Sequence, residues 1–292
     1  MRIRRAAVSG LLPSLLVAMA GATALAGCAT VPPGSAPVSL DPSWTLTGFA
    51  DPESVLRAVD AGVLYVSNVS GEGDARDGDG FVSKVSVDGK MLVRQWAVGL
   101  DAPKGLARIG GTLFVADIDD LVEIDLASGR VTARHPVPEA KFLNDVAVAP
   151  DGTVLVSDSG TGRIHGWHDG TMSVWLADPL LAAINGLLPE GDHVLVTTMQ
   201  GRLLSVDLAT RAITVVAEDL GNADGVGRLP DGSLLVSEWP GRLFHLRTDG
   251  TRATLLDTRE AETYLNDLLL SGDELLMPNM KPGQVSAYRV IR

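Results

Sequence analysis

The chain is predicted to be all-β, a six-bladed β-propeller built from four-stranded blades. Three observations predict it. A strand–turn–strand pattern recurs six times at a spacing of about 40 residues, two further strand-like segments follow most of the repeats, and the two ends of the sequence carry the parts of one split repeat. A period of roughly 20 to 50 residues marks solenoids and propellers, and six units of four strands fall within the propeller range.

The repeats start at Pro52 (PESVLRAVDAGVLYVSN), Pro103 (PKGLARIGGTLFVAD), Leu143 (LNDVAVAPDGTVLVSD), Ile184 (INGLLPEGDHVLVTT), Ala223 (ADGVGRLPDGSLLVSE) and Leu265 (LNDLLLSGDELLMPN). Each reads as a short strand, a tight turn and an apolar strand that ends in a polar residue. Asp151-Gly152, Gly191-Asp192, Asp231-Gly232 and Gly272-Asp273 supply the turns, because these residue types accept positive φ between alternating strands. Third strands follow as LVEIDL, RIHGWH, RLLSVDL and RLFHLRT, and fourth strands as AITVVAE and ATLLDT. The segment QVSAYRV, Gln284 to Val290, is a third strand with no fourth after it, while WTLTGF, Trp44 to Phe49, is a fourth strand with no repeat before it. The N-terminal strand is therefore expected to complete the last blade, closing the ring and removing an exposed edge.

Ahead of the propeller, expected over residues 44–292, lie two other segments. Residues 1–27 read as an export signal, with Arg2, Arg4 and Arg5 followed by an apolar run and small residues. The motif LAGC, Leu25 to Cys28, resembles the lipobox of bacterial lipoproteins, which implies cleavage before Cys28 and lipidation of its thiol. Residues 28–43 are then the lipidated cysteine and a linker rich in Pro, Gly, Ser and Ala. The protein is expected to be exported and lipid-anchored to a bacterial membrane through Cys28, its sole cysteine, so no disulfide forms within the chain. Arg4 and Arg5 lack the rest of a twin-arginine consensus, and no export route is assigned.

The 292 residues are 46% hydrophobic and carry a formal net charge of −12. Loss of residues 1–27 removes three arginines and no acid, leaving 21 bases against 36 acids, a net of −15. Such a charge disfavours nucleic acid and anionic membrane surfaces as partners and leaves a small-molecule substrate as the expected one. No GxSxG elbow and no P-loop occurs, which argues against a serine α/β-hydrolase and a nucleotide-binding domain.

One position is polar in all six repeats: Glu53, Lys104, Asn144, Asn185, Asp224 and Asn266, each at the start of a first strand. First strands line the central channel of a propeller, so these side chains are expected to converge on the axis at one face. Converging carboxylates and amides are costly unless each finds a partner. Two carboxylates with amide oxygens form a hard donor set suited to calcium or another hard divalent cation. The residues leave open a second reading, a column of turn-forming residues linked by water.

On these residues the sequence resembles the senescence marker protein/gluconolactonase/luciferin-regenerating-enzyme family, regucalcin-like six-bladed propellers related to paraoxonases. The resemblance covers residues 44 to 290. It implies a catalytic divalent cation, calcium with zinc and manganese as alternatives, held by Glu53 in DPES, Asn144 in LNDVAVAPDG, Asn185 in INGLL and Asp224 in ADGVGRLPDG, with Asn266 completing or bordering the ring. It further implies a hydrolase of lactones or related esters and phosphotriesters, in which Asp224 is both ligand and base or nucleophile. The chain departs from the pattern at Lys104, where paraoxonase-like relatives carry a proton-transferring histidine. Lys104 either acts in catalysis, holding a substrate carboxylate or an oxyanion, or pairs with Glu53 and Asp224 in place of the metal. At about 4 Å such a pair attracts by roughly 4 kcal/mol at an effective dielectric near 20. The latter reading makes the protein a non-catalytic propeller for ligand binding or scaffolding.

Three further features stand out. The connection Asn68 to Gly80 is longer than its counterparts and is expected on the face of the polar ring, as a solvated loop or lid. A second column, Asn68, Asp117, Asp158, Thr198, Glu238 and Asn279, ends the second strands and is read as turn caps or as support for the ring. The five histidines, His135, His165, His168, His193 and His245, lack metal-ligand spacing and are assigned to surface or interblade hydrogen bonding.

Overall fold

The computed structural model describes residues 37–292; the expected signal segment (residues 1–27), Cys28 and most of the expected linker lie outside the described residues. Six antiparallel four-stranded sheets form the molecule, as the repeat predicts. Blade 1 comprises β2 (Pro52–Ala58), β3 (Val63–Asn68), β4 (Gly80–Ser86) and β5 (Met91–Leu100). The first strands of the next four blades are β6 (Pro103–Ile109), β10 (Leu143–Val148), β14 (Ile184–Glu190) and β18 (Asn222–Arg228). Blade 6 runs β22 (Leu269–Ser271), β23 (Glu274–Asn279), β24 (Gln284–Ile291) and then β1 (Ser39–Thr47).

The N-terminal strand closes the ring. β1 begins five residues earlier than the Trp44–Phe49 segment suggests, pairing from Ser39↔Ile291 to Thr47↔Gln284, and Phe49 N–H adds a bond to the Gly283 carbonyl at 3.1 Å. The closing strand ties together the two ends of the propeller, so no sheet edge is left at the seam.

Second strands are continuous apolar runs because both of their faces are covered by neighbouring blades. Leu64, Tyr65 and Val66 of β3 are all buried, and the core consists of wedges between blades. In one wedge Tyr65, Val82 and Ala97 of blade 1 pack on Leu106, Leu113, Val115 and Ile124 of blade 2. The turn Asp151-Gly152 forms as its chemistry dictates: Gly152 sits at φ 85° and the Asp151 carboxylate accepts from Thr153 N–H at 2.9 Å.

Candidate functional site at the propeller axis

Each first strand carries a β-bulge at the position of the polar column. The register slips by one between Pro52 and Val55, Pro103 and Leu106, Leu143 and Val146, Ile184 and Leu187, and Ala223 and Val226. In blade 6 the isolated bridge Leu265↔Asn279 and the pair Leu269↔Leu276 show the same slip. A bulge places two residues against one and re-aims their side chains. All six column residues are buried, with exposures between 3% for Lys104 and Asn266 and 7% for Glu53.

The six have different partners. Asn144 donates through Nδ2 to Ser159 Oγ at 3.1 Å, and Asn266 donates to the Pro52 carbonyl at 3.1 Å, which staples blade 6 to blade 1. Glu53 Oε2 is buried with no hydrogen-bond partner. Burial pushes the Glu53 carboxyl well above its ordinary pKa, and Asp224 and Asp267 push it further while Lys104 opposes them. Asp224 is raised in the same way by burial and then by Asp267, with the Asn185 amide acting against the shift.

Lys104 does not occupy the place that a carboxylate partner would give it. Its ammonium donates to the carbonyls of Gly73 at 2.7 Å and Ala102 at 3.0 Å and lies 4.3 Å from the centre of the Phe142 ring. Among the described residues it forms no ion pair within 4.0 Å. Burial lowers its pKa, and the fields of Glu53, Asp117 and Asp74 hold it up. Gly73 belongs to the long blade 1 connection, so this loop packs over the ring; a Cβ on Gly73 would lie 3.3 Å from Phe142 Cζ.

One residue further along each strand is a second layer, Ser54, Gly105, Asp145, Gly186, Gly225 and Asp267, which the polar column does not include. Asp145 and Asp267 belong to blades on opposite sides of the ring. Asp145 accepts from Val146 N–H at 2.7 Å and, across to blade 4, from Leu187 N–H at 2.6 Å. Asp267 accepts from Leu268 N–H and from Ser54 Oγ of blade 1, both at 2.7 Å. The glycines beside them make room: a Cβ on Gly225 would sit 2.4 Å from Asp267 Oδ1, and one on Gly105 2.5 Å from Asp145 Cα. Burial raises both carboxyls; Asp145 is raised further by Asp267, and Asp267 is pushed up to about 6 against the donors Ser54 and Leu268. Below this layer the channel opens, at the far end of the first strands, into a cavity of about 250 Å³ whose wall includes Val55, Leu106, Val146, Leu187, Val226 and Leu268.

The second column works on backbone. Asp117 accepts from Asp101 and Ala102 N–H at 3.0 and 2.8 Å and pairs with Arg134 at 3.0 Å, fixing the segment whose carbonyl holds Lys104. Asp158 accepts from Phe142 N–H and Gly160 N–H at 3.0 Å. Burial alone would raise Asp158, but His165, Thr161 and the Phe142 and Lys141 N–H groups outweigh it and bring its pKa down to about 2. Asn68 accepts from Ala50 N–H at 3.0 Å, and Glu238 pairs with Arg242 at 2.8 Å. His165 lies 3.6 Å from Asp158, and buried His245 bonds Ser233 Oγ at 2.8 Å.

The axis thus gathers four carboxyls, Glu53, Asp224, Asp145 and Asp267, against one ammonium. Among the described residues no three of His, Cys, Asp and Glu are clustered as a metal site. A cation at the ring would therefore rest on Glu53 and Asp224 together with the amide oxygens of Asn144 and Asn185. The orphaned Glu53 Oε2 and this all-oxygen set fit a hard divalent ion.

Bulged first strands around a polar axis define the class, a six-bladed β-propeller with a candidate site at one mouth. No family model matches the chain, and no curated protein matches it in sequence. Solved structures do match in shape. Virginiamycin B lyase from Staphylococcus aureus is 10% identical with a TM-score of 0.63, over 87% of this chain and all of that one. A catalytically inactive form of that lyase with quinupristin is 11% identical with a TM-score of 0.59 over 87% of this chain and all of its own. A candidate gluconolactonase is 18% identical with a TM-score of 0.61, over 88% of this chain and 93% of its own. At these identities the likeness establishes the propeller.

Proposed function

We propose that the protein is a metal-dependent hydrolase of lactones or related esters and phosphotriesters, anchored in the bacterial cell envelope through lipidated Cys28. The observation that carries this reading is the buried, unpartnered Glu53 Oε2 on the same polar ring as Asp224. An unpaired buried carboxylate costs several kcal/mol unless it is protonated or meets a cation. Glu53, Asn144, Asn185 and Asp224 are the residues we assign to hold calcium, with zinc and manganese as alternatives. The ion would supply Lewis-acid polarisation of the scissile carbonyl or phosphoryl oxygen.

The remaining chemistry belongs to the chain. Asp224 takes the proton from an attacking water, or attacks the acyl or phosphoryl centre itself. Lys104, with two donors engaged by Gly73 and Ala102, keeps a third N–H for a substrate carboxylate or developing oxyanion. The blade 1 loop tied by Lys104 limits the access of water and shapes specificity, as loops on rigid scaffolds do. Because Lys104 bonds carbonyls rather than carboxylates, its geometry favours the hydrolase over the metal-free scaffold.

Elemental analysis of purified protein, with a screen of lactones, aryl esters and phosphotriesters in added calcium, zinc or manganese, tests the proposal. One bound divalent ion, lost in Asp224→Ala together with turnover, supports it. A wild type that neither contains nor binds such an ion removes the mechanism and leaves the scaffold reading.

A further inference from the structure

Away from the axis, a groove of about 640 Å³ opens between blades 4 and 5. No large side chain from the outer strand of blade 4 covers it. On three of the other five blades the outer strand carries a tryptophan that covers the next blade: Trp44 packs over Gly89 and Trp96 over Gly129, while Trp175 lies under the guanidinium of Arg211 at 3.8 Å. Trp175 is the extra residue where the outer strand of blade 3 slips between Val174 and Leu176. The outer strand of blade 4, β17 (Ile213–Ala217), slips at the equivalent place between Val215 and Ala217, and the extra residue is Val216, which is 47% exposed and lines the groove. Val216 is smaller than the tryptophan of blade 3 and leaves the apolar floor uncovered here.

The floor and the rim differ in chemistry. Leu195, Leu220 and Leu234 form a buried apolar floor. Arg228, Arg247 and Arg252 stand around it, in a chain of net charge −12. Arg228 is neutralised by Glu190 at 2.7 Å, and the rim acid Glu218 lies 3.7 Å from Arg202. Arg252 donates to the Asp219 carbonyl and lies 5.0 Å from the Phe244 ring centre, which fixes its guanidinium. Arg247 reaches only Thr251 Oγ1, at 3.3 Å. Among the described residues neither Arg247 nor Arg252 has a carboxylate within 4.0 Å; Asp219 is the lining acid without an ion pair, and Asp249, between Thr248 and Gly250, shares the field of Arg247.

We propose that this groove binds an amphipathic organic anion, its carboxylate or sulfonate head held by Arg247 and Arg252 and its apolar body laid on the leucine floor. Guanidinium groups match such heads through paired N–H donors, and the volume lies in the range of small-molecule sites. The groove is independent of the axial ring and of the chemistry proposed there.

The test titrates the purified protein with 1-pyrenebutyrate, followed by fluorescence anisotropy, with the uncharged 1-pyrenebutanol as comparison. One molecule of the acid is expected to bind, more weakly as salt is raised. Arg247→Ala should weaken it about tenfold, as loss of a hydrogen bond to a charged group does. Val216→Trp should fill the groove and abolish binding, while Asp224→Asn should leave it unchanged. Should Val216→Trp misfold, Arg247→Glu serves in its place, with near-complete loss expected. Equal binding of the alcohol, or affinities unaltered in Val216→Trp and Arg247→Ala, would overturn the proposal.

Discussion

Lys104 Nζ donates to the Gly73 carbonyl at 2.7 Å, so the basic member of the polar ring clamps the long blade 1 loop across the mouth of the axis. Lys104→Met keeps the apolar stem and removes the clamp. A hydrogen bond from a charged group contributes about 1.5–3 kcal/mol, equivalent to a tenfold or greater change in loop opening. Amides between Ser70 and Gly78 should therefore exchange at least about tenfold faster, while the number of bound divalent ions stays the same. A large gain in cation affinity in this variant would instead show that the ammonium substitutes for the metal.

The unpartnered Glu53 carboxylate sets a conflict between stability and binding. Glu53→Gln removes a carboxyl whose ionisation is opposed by burial and by Asp224. In chelator at neutral pH the variant should be more stable than wild type by about 1–2 kcal/mol in urea unfolding, because the amide cannot ionise and so removes the cost of burying or neutralising the carboxyl. Calcium at a hundredfold excess over its Kd should stabilise wild type by about 2.7 kcal/mol and the variant scarcely at all. An equal response in both proteins would place the cation elsewhere.

Asp267 gives the fold a pH dependence of known sign. Its folded pKa of about 6 lies above the ordinary carboxylate value of 3.8, so protonation favours the folded state. Its contribution is fully present below the unfolded pKa and is lost as the pH rises through about 6. Because Asp267 lines the channel cavity, solvent screening reduces the effect to about 1–2 kcal/mol. Unfolding in chelator should show stability falling between about pH 4.5 and 7, with a shallower fall in Asp267→Asn. The depressed Asp158 acts with opposite sign and only below its unfolded value, outside this window.

The ring architecture was legible because each blade repeats its own punctuation. The split sixth blade could be read because QVSAYRV lacks a following strand and the Trp44 segment lacks a preceding one, although the strand start at Ser39 is set by pairing with Ile291. The polar column was visible because it recurs in every repeat. The layer beneath it was signalled more faintly: Asn-Asp stands in blades 3 and 6, Asn-Gly or Asp-Gly in blades 4 and 5, and Lys-Gly in blade 2. That pattern places aspartates on opposite sides of the axis with glycines at their flanks, but Asp145 taken alone reads as turn chemistry. The direction of Lys104 was illegible, because the Gly73 carbonyl that captures it belongs to a loop with no repeat to compare. The open wedge at Val216 depends on a bulge register that hydrophobic patterning does not reveal.

Gly225 provides the strictest test of the buried layer. Its Cβ would lie 2.4 Å from both Asp267 Oδ1 and Leu268 N, a separation that neither backbone nor a hydrogen-bonded carboxylate can accommodate without moving. Gly225→Ala must therefore move the Asp267 carboxylate, disturbing its bonds to Leu268 N–H and to Ser54 Oγ, the second of which, like that of Asn266 to Pro52, joins blade 6 to blade 1. Overpacking of a close-packed interior costs about 1–3 kcal/mol, and the loss of a charge-assisted bond adds to it. The variant should lose at least about 2 kcal/mol in urea unfolding. Gly250→Ala, at an exposed turn with no atom within 4 Å of the added carbon but with φ at 83°, controls for backbone strain alone and should lose about 1 kcal/mol. Equal losses in the two variants would show that the carboxylates are not packed against the glycines.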